Sequence, residues 1–540
     1  MITRVQMDER GWEMVGRGRL GSTGTFRFSV RSVNRKEIER KEYTPKRPSE
    51  SGASKHPAGR SRHNPPVPPP PDPSVKRLLP WLVAVAFLME SLDTTILNTA
   101  VPTIAEALGV VPLSMKAVLS SYTLSLAVFI PVSGWMADRF GTRRVFASAI
   151  AIFTVGSLLC GLSTNIHILV GCRILQGMGG ALMVPVGRLT IVRTFERSEL
   201  VRAMSFVTIP ALIGPMLGPV VGGLIVGYFH WRVIFFVNLP IGILGLALVA
   251  RRLPDYRSER VDKLDVLGGV LFGSGIGLLS YILEVFGEHT LGTGAILGLF
   301  VLSLALLAGY FRHAVVAAHP LLRLGLFRIR TFRSAVTGSF ITRLGAGGIP
   351  FLLPLLYQVG LGYTPVQSAF LLMPQSIAAM ALKPWMPRIL GIFGYRRVLL
   401  ANTIVMGGAI SLFATIGTGT PVALIVVLAL LFGSAASLQY TSMNTLAFAE
   451  VAEPDASMAS TVASTMQQMS LSFGVAAASL TTAIFIPDRF RSHAPEMLHG
   501  IHRALIVLGA MTVLSAVVFR ELKPGDGDNV SQHGEGAGGE

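Results

Sequence analysis

Residues 87–101 read FLMESLDTTILNTAV, an apolar run that carries two carboxylic acids, Glu90 and Asp93, one helical turn apart. An ionised carboxylate surrounded by hydrocarbon is costly, so acids in such runs mark proton relays, ion paths or counter-charges. Protonating either acid removes a buried charge and biases one conformation, which is how a proton can be coupled to rocking of two halves. Arg173 stands in a second apolar run, followed on the same helix face by Gln176. An arginine there faces a cavity or a partner, or snorkels to the interface. Further polar residues in apolar runs are Arg188, Glu284, Arg343, Gln358, Lys383, Gln439, Asn444, Gln467 and Gln468. Glu284 sits near a run's end and can be interfacial. Arg343, in FITRLGAGGIPFLLPLLYQ, needs a cavity or a counter-charge, and Pro350 and Pro354 make its helix irregular, as tolerated beside a cavity. Gln176, Arg343, Gln467 and Gln468 are therefore candidates for a substrate cavity. Met466 and Met469 beside the last two are adaptable packing groups, though methionine is commoner in plain core or lipid contact.

These residues must be positioned by membrane helices. The chain has 540 residues, 51% hydrophobic and 14% charged, against about 25% charged in an ordinary soluble domain. A span needs roughly 20 mostly apolar residues. Such segments fall near 79–103, 113–136, 145–163, 166–191, 203–228, 232–250, 265–286, 292–311, 334–358, 365–390, 396–416, 421–448, 457–486 and 501–519. About 14 spans are expected. The net charge of +17 is concentrated in the N-terminal 75 residues and in alternate loops, including ADRFGTRR, RTFERSELVR, RRLPDYRSERVDK and PRILGIFGYRR. The opposite loops, such as GLSTN, FHW and GLGYT, are nearly free of Lys and Arg, with PDRFRSHAPEMLHG the exception. This asymmetry places both termini in the cytoplasm and leaves nucleic-acid binding without support.

The first 75 residues, rich in Arg, Lys, Ser, Gly and Pro, read as a disordered arm, either dispensable or touching anionic lipid. They lack the apolar core of a signal peptide. Cys160 and Cys172 have no disulfide or zinc spacing and read as packing residues. A phosphate-binding GxxxxGK[ST] loop is absent, and GSGIGL at 273–278 lies inside an apolar run, so uphill transport would draw on an ion gradient.

The loop GWMADRFGTRRV, residues 134–145, orders Gly134, Asp138, Arg139, Gly141, Arg143 and Arg144 at a membrane edge. Gly134 would allow close helix approach, Gly141 would turn the chain, and the paired arginines would hold the next helix start in the cytoplasm. KPWMPRILGIFGYRRVLL at 383–400 is a weaker echo and suggests an internal repeat. In GPMLGPVVGG, Gly214, Gly218 and Gly222 recur every four residues and form one smooth helix face. Pro215 and Pro219 interrupt its backbone ladder.

The 134–145 loop resembles the signature of the major facilitator superfamily. LDTTILNTAVP at 92–102, RILQGMGGA at 173–181, GPMLGPVVGG at 214–223, WRVIFFVNLPIG at 231–242 and MNTLAFAEVAEPDASMASTVASTMQQMSLSFGVA at 443–476 resemble motifs of its fourteen-helix drug:proton antiporter, EmrB/QacA-like, branch. The resemblance covers roughly 78–520. It implies an all-α polytopic membrane fold of two six-helix halves, 78–252 and 331–522, joined by 253–330 with two extra helices, and flanked by disordered tails 1–77 and 523–540. It implies that the 134–145 loop takes part in the conformational switch and that the fifth-span motif is that of antiporters. It also implies that Asp93 is a proton-coupling residue and that the first-span acids are the partners of Arg173; Glu90 lies outside the signature.

The expected function is proton-coupled export of amphipathic drug-like compounds, with no cofactor beyond the proton gradient. The partners are a small-molecule substrate, protons and lipids, in a bacterial inner membrane and with a monomer sufficient. The alternative is a carrier dedicated to one metabolite, such as a siderophore, sugar or amino-acid product. A membrane-embedded enzyme or sensor would need a catalytic constellation, and none is found; His493 and His499 have no metal-site partners in sequence.

Overall fold

The computed structural model describes residues 2–5, 12–20, 26–34, 73–258, 261, 263–285, 292–486 and 494–531. The chain divides into two units, Met1–Pro69 and Pro70–Glu540. In the first, strands β1 (Ile2–Val5), β2 (Trp12–Leu20) and β3 (Phe26–Asn34) form an antiparallel sheet in that order, with Val15 opposite Arg31 and Arg4 opposite Val15. This corrects the expectation of a wholly disordered arm. The period-two alternation of FRFSVRSV is the local signal, outweighed in the sequence reading by bulk composition. The proline-rich stretch that follows lies outside the described residues.

The second unit is all-helical among its described residues. Its principal helices are α1 (Pro73–Leu108), α2 (Lys116–Phe140), α3 (Thr142–Leu162), α4 (Ile166–Thr194), α5 (Arg197–Tyr228) and α6 (Asn238–Arg252). Then come α7 (Val266–Val285), α8 (Thr293–Val316), α9 (Arg330–Ala346), α10 (Pro365–Ala381) and α11 (Met386–Leu412). The last are α12 (Val422–Ala447), α13 (Ala456–Ile484) and α14 (Ala494–Leu514). Helices are the form that satisfies every backbone group internally where water is absent. Eleven helical stretches among the described residues are long and apolar enough to cross a membrane. The expected count is higher because α10 and α11 merge into one of these stretches, α13 is rich in Ser, Thr and Gln, and the side chains of α5 are described without interruption only over Ile213–Tyr228.

The breaks follow local chemistry. Gly141, at φ 95°, separates α2 from α3, and Asn165 caps α4 by accepting from the Ile168 amide at 2.9 Å. Thr364 and Gln367 form a capping box around Pro365 at the start of α10. Gly347 and Gly348 end α9, which resumes as Ile349–Leu355 and a π-turn, Leu356–Gly360. The short tail is less free than its composition suggests. Asp526 ion-pairs with Arg330, and Gly527 packs on Tyr395, so 523–531 dock onto the helices; 532–540 lie outside the described residues.

Packing is unequal at the two ends of the bundle. At the end of the 109–111 and 361–364 loops, one apolar core takes in both halves, including Val101 and Ile104 of α1 with Ile349, Leu353, Leu356 and Leu505. At the opposite end the core splits. One cluster belongs to α1–α6 and the segment just after α6, with Phe87, Phe146 and Val186. The other unites the C-terminal half with α7 and α8, through Phe272, Tyr310 and Phe332. Side-chain hydrogen bonds cross between the halves at Gln358 to the Thr99 carbonyl (2.9 Å), Ser479 to the Leu113 carbonyl (3.3 Å), Ser120 with Ser472, and Ser376 to the Pro215 carbonyl (3.2 Å). The molecule is closed at one end and parted at the other.

Candidate functional site

Asp93 sits in the middle of α1, and α4 brings Arg173 and Gln176 against it. Both Asp93 and Arg173 are 1% exposed, and Arg173 Nη1 lies 2.6 Å from Asp93 Oδ2. The same nitrogen donates to Gln176 Oε1 at 2.7 Å, and Gln176 Nε2 donates to Asp93 Oδ1 at 2.8 Å. Asn238, at the start of α6, donates to Asp93 Oδ1 at 2.9 Å and to Ser157 Oγ at 3.0 Å. Ser157 in turn donates to the Phe235 carbonyl at 2.9 Å. The face of Tyr122 on α2 completes the enclosure, 4.1 Å from the guanidinium. Four helices thus converge on one carboxylate, which accepts three hydrogen bonds.

Small residues make this convergence possible. A Cβ on Gly156 would lie 2.8 Å from Gln176 Cα, and one on Gly177 would lie 2.7 Å from Ser125 Cβ. Gly214, Gly218 and Gly222 meet α1 as their spacing predicts, at Ser91, Thr95 and the Ile96 carbonyl. Pro219 has no N–H, so the Pro215 carbonyl lacks its helical donor and receives the Ser376 hydroxyl from α10 instead. Helix α5 is therefore clamped to α1 on one side and to the other half on the next.

Glu90 differs from Asp93. It is partly buried rather than fully enclosed, and its basic neighbour is Arg188 of α4, whose guanidinium lies 5.6 Å from the Phe87 ring centre. Gln176, expected in a substrate cavity, is instead fully buried in the Asp93 network, because its amide supplies both the acceptor for Arg173 and a donor for Asp93. Asn238 and Ser157 were missing from the sequence reading. The lone Asn in WRVIFFVNLPIG was a usable signal; a serine among apolar residues was not.

In the 134–145 loop, Asp138 accepts from Arg193 at 2.6 Å and from Ser258 at 3.1 Å, tying the loop to the end of α4 and to the segment that follows α6. A Cβ on Gly141 would meet Asp255 Oδ1 at 2.2 Å, so this turn also needs glycine for space. Arg139, Arg143 and Arg144 are exposed. Gly134 corrects the expectation of close helix approach: a Cβ there would meet nothing within 4 Å, because it lies at the parted end.

In the C-terminal half, Arg343 is 4% exposed, with Tyr440 of α12 stacked 3.8 Å from its guanidinium and Nε donating to Ser339 Oγ at 3.1 Å. Gln467 and Gln468 on α13 are half-buried, and Gln467 lines a small cavity with Ser339 and Asn444. Gln439 is absorbed by Asn402 and Thr403, and Lys383 lies in the turn between α10 and α11. The Glu284 side chain and His493 fall outside what is described.

The chain matches the Major Facilitator Superfamily over residues 83–477 and 335–536. It belongs to that superfamily. Among its relatives are two proteins provisionally named multidrug resistance protein MdtD. That of Serratia proteamaculans (strain 568) is 38% identical over 439 residues, covering 81% of this chain and 92% of the relative. That of Klebsiella pneumoniae (strain 342) is 38% identical over 452 residues, covering 83% and 95%. Solved structures with the same fold include the peptide-transporter-family protein PepTSo, with a TM-score of 0.62, 15% identity, and coverage of 82% of this chain and 97% of that one. A D-xylose–proton symporter follows with a TM-score of 0.59, 15% identity, and 83% and 98% coverage. As a superfamily member the chain is a multi-pass membrane transporter, not an enzyme.

Proposed function

We propose that this transporter is a proton-coupled exporter of amphipathic, drug-like compounds that works by alternating access. The observation that carries the reading is the buried Asp93–Arg173 pair, placed on the helix that also forms the closed end. Asp93 and Thr99 lie six residues apart on α1, about 9 Å along the axis. Protonating Asp93 removes the charge that Arg173, Gln176 and Asn238 hold, and loosens α1 from α4 and α6. Because Gln358 of the other half donates to the Thr99 carbonyl, a shift of α1 reaches the contact between halves directly. Proton uptake and the opening of the closed end are then two ends of one rigid element.

The provisional name of the MdtD relatives supports drug-like substrates. The positive-inside loop pattern supports cytoplasmic termini in the cell membrane, which makes the parted end the cytoplasmic one. Fourteen spans follow when α5, α10, α11 and α13 are counted singly with the others, which gives two six-helix halves and the α7–α8 hairpin. A monomer contains every residue the cycle uses. The test is transport in proteoliposomes with an imposed pH gradient and a panel of dyes. Gradient-driven dye movement that Asp93→Asn abolishes is the expected result; movement indifferent to the gradient would sink the proposal.

A further inference from the structure

Arginines and acids in the middle of the described bundle do not balance. Asp93 is matched by Arg173, and Glu90 has Arg188 as its basic neighbour. Lys116 and Lys383 lie at helix ends. Arg343 is left with no ion pair among the described residues, although it is 4% exposed. Its side-chain partners are neutral, the Ser339 hydroxyl, which accepts from Nε, and Tyr440, so no carboxylate meets its fork of donors. A buried guanidinium normally finds an anion, since leaving it unpaired is strongly unfavourable.

The placement repeats that of the proton site. In the N-terminal half a guanidinium joins the first and fourth helices, α1 and α4, through Asp93. In the C-terminal half a guanidinium joins the corresponding helices, α9 and α12, through a tyrosine face. Where the first site carries its own carboxylate, the second carries none. One turn from Arg343, at the parted end, a cavity of about 10 Å³ is lined by Ser339, Met443, Asn444, Met466 and Gln467. That is room for one water at most, so a ligand would enter by displacing flexible methionines.

We infer that Arg343 is the head-group site for amphipathic substrates that bear a carboxylate. The fork of terminal N–H groups pairs both carboxylate oxygens, and the substrate's apolar body lies against Tyr440, Met443 and Met466. The inference rests on the export reading and names its substrate class.

The test uses two probes with the same apolar body: pyrenebutyrate and a pyrenebutyl-trimethylammonium. Their transport by purified full-length protein in proteoliposomes gives a ratio of kcat/KM, carboxylate over ammonium. Arg343→Gln should lower this ratio roughly 10- to 100-fold, the loss of a charge-assisted hydrogen-bonded pair, and Arg343→Lys should restore part of it. Asn444→Asp, an isosteric change at an exposed position, places an acid in the cavity that Ser339 lines one turn from Arg343 and should lower the ratio in the same direction without threatening the fold. Unchanged ratios in Arg343→Gln and Asn444→Asp overturn the inference. Wild-type transport of the ammonium but not the carboxylate overturns it and leaves the export reading standing, and transport of neither overturns both.

Discussion

Replacing Asp93 by Asn should separate the two consequences of its burial. The side chain keeps its size, and its oxygen can still accept from Gln176 or Asn238. Its NH₂, however, would face the Nη1 of Arg173, which now sits 2.6 Å from Asp93 Oδ2. Arg173 would keep its charge at 1% exposure with only the Gln176 oxygen and the Tyr122 face as compensation. Breaking one side of a buried ion pair costs about 3–5 kcal/mol, and the retained hydrogen bonds set the expectation near ~3 kcal/mol. Unfolding in mixed micelles should show that loss. Asp93→Asn combined with Arg173→Gln should recover much of it, because the second change removes the stranded charge, giving a coupling energy of about 2–3 kcal/mol. Substrate-dependent proton release from proteoliposomes should stay absent in both variants, since neither restores a titrating group. An Asp93→Asn protein as stable as wild type, or one that still releases protons, would refute the assignment of the pair.

Three further outcomes follow from packing and charge. Gly218→Val places a Cβ 2.0 Å from Thr95 Oγ1, so α1 and α5 must separate; a loss of about 1–3 kcal/mol in stability and a faster proton leak are expected, read by unfolding and by decay of a pH gradient. Gln358→Ala removes the amide that holds the Thr99 carbonyl; it should cost about 1 kcal/mol at the closed end and speed thiol labelling of a cysteine introduced at Val101. Asp265, just before α7, is pushed up by burial but pulled down further by bonds from the Gly268 amide, His313 and the Leu321 amide, so its carboxyl lies below the usual range. A depressed acid contributes stability in full above its unfolded value of about 3.9 and loses it as pH falls through the lower folded value. Thermal unfolding of wild type against Asp265→Asn should therefore differ at neutral pH and begin to converge only below about pH 4, as pH falls toward the lowered folded value.

What the sequence by itself determined is what hydrocarbon demands of any chain. Runs of about 20 apolar residues had to be helices, and the glycine spacing at Gly214, Gly218 and Gly222 had to form a contact face, because both depend only on local periodicity. The cost of a buried charge likewise singled out Asp93, Arg173 and Arg343 wherever their partners turned out to be. Periodicity could not say what lies across a helix interface. The pairing of Asp93 with Arg173 over 80 positions, the recruitment of Asn238 and Ser157, and the conversion of Gln176 from cavity lining to network member all arise from which helices are neighbours. The open space at Gly134 and the shared core at the other end depend on how the two halves are tilted, a rigid-body relation that no single segment encodes. The contrast between the two arginines is the same point in miniature. Identical side chains in similar apolar runs have different chemistry, because one helix bundle delivers a carboxylate and the other delivers a tyrosine.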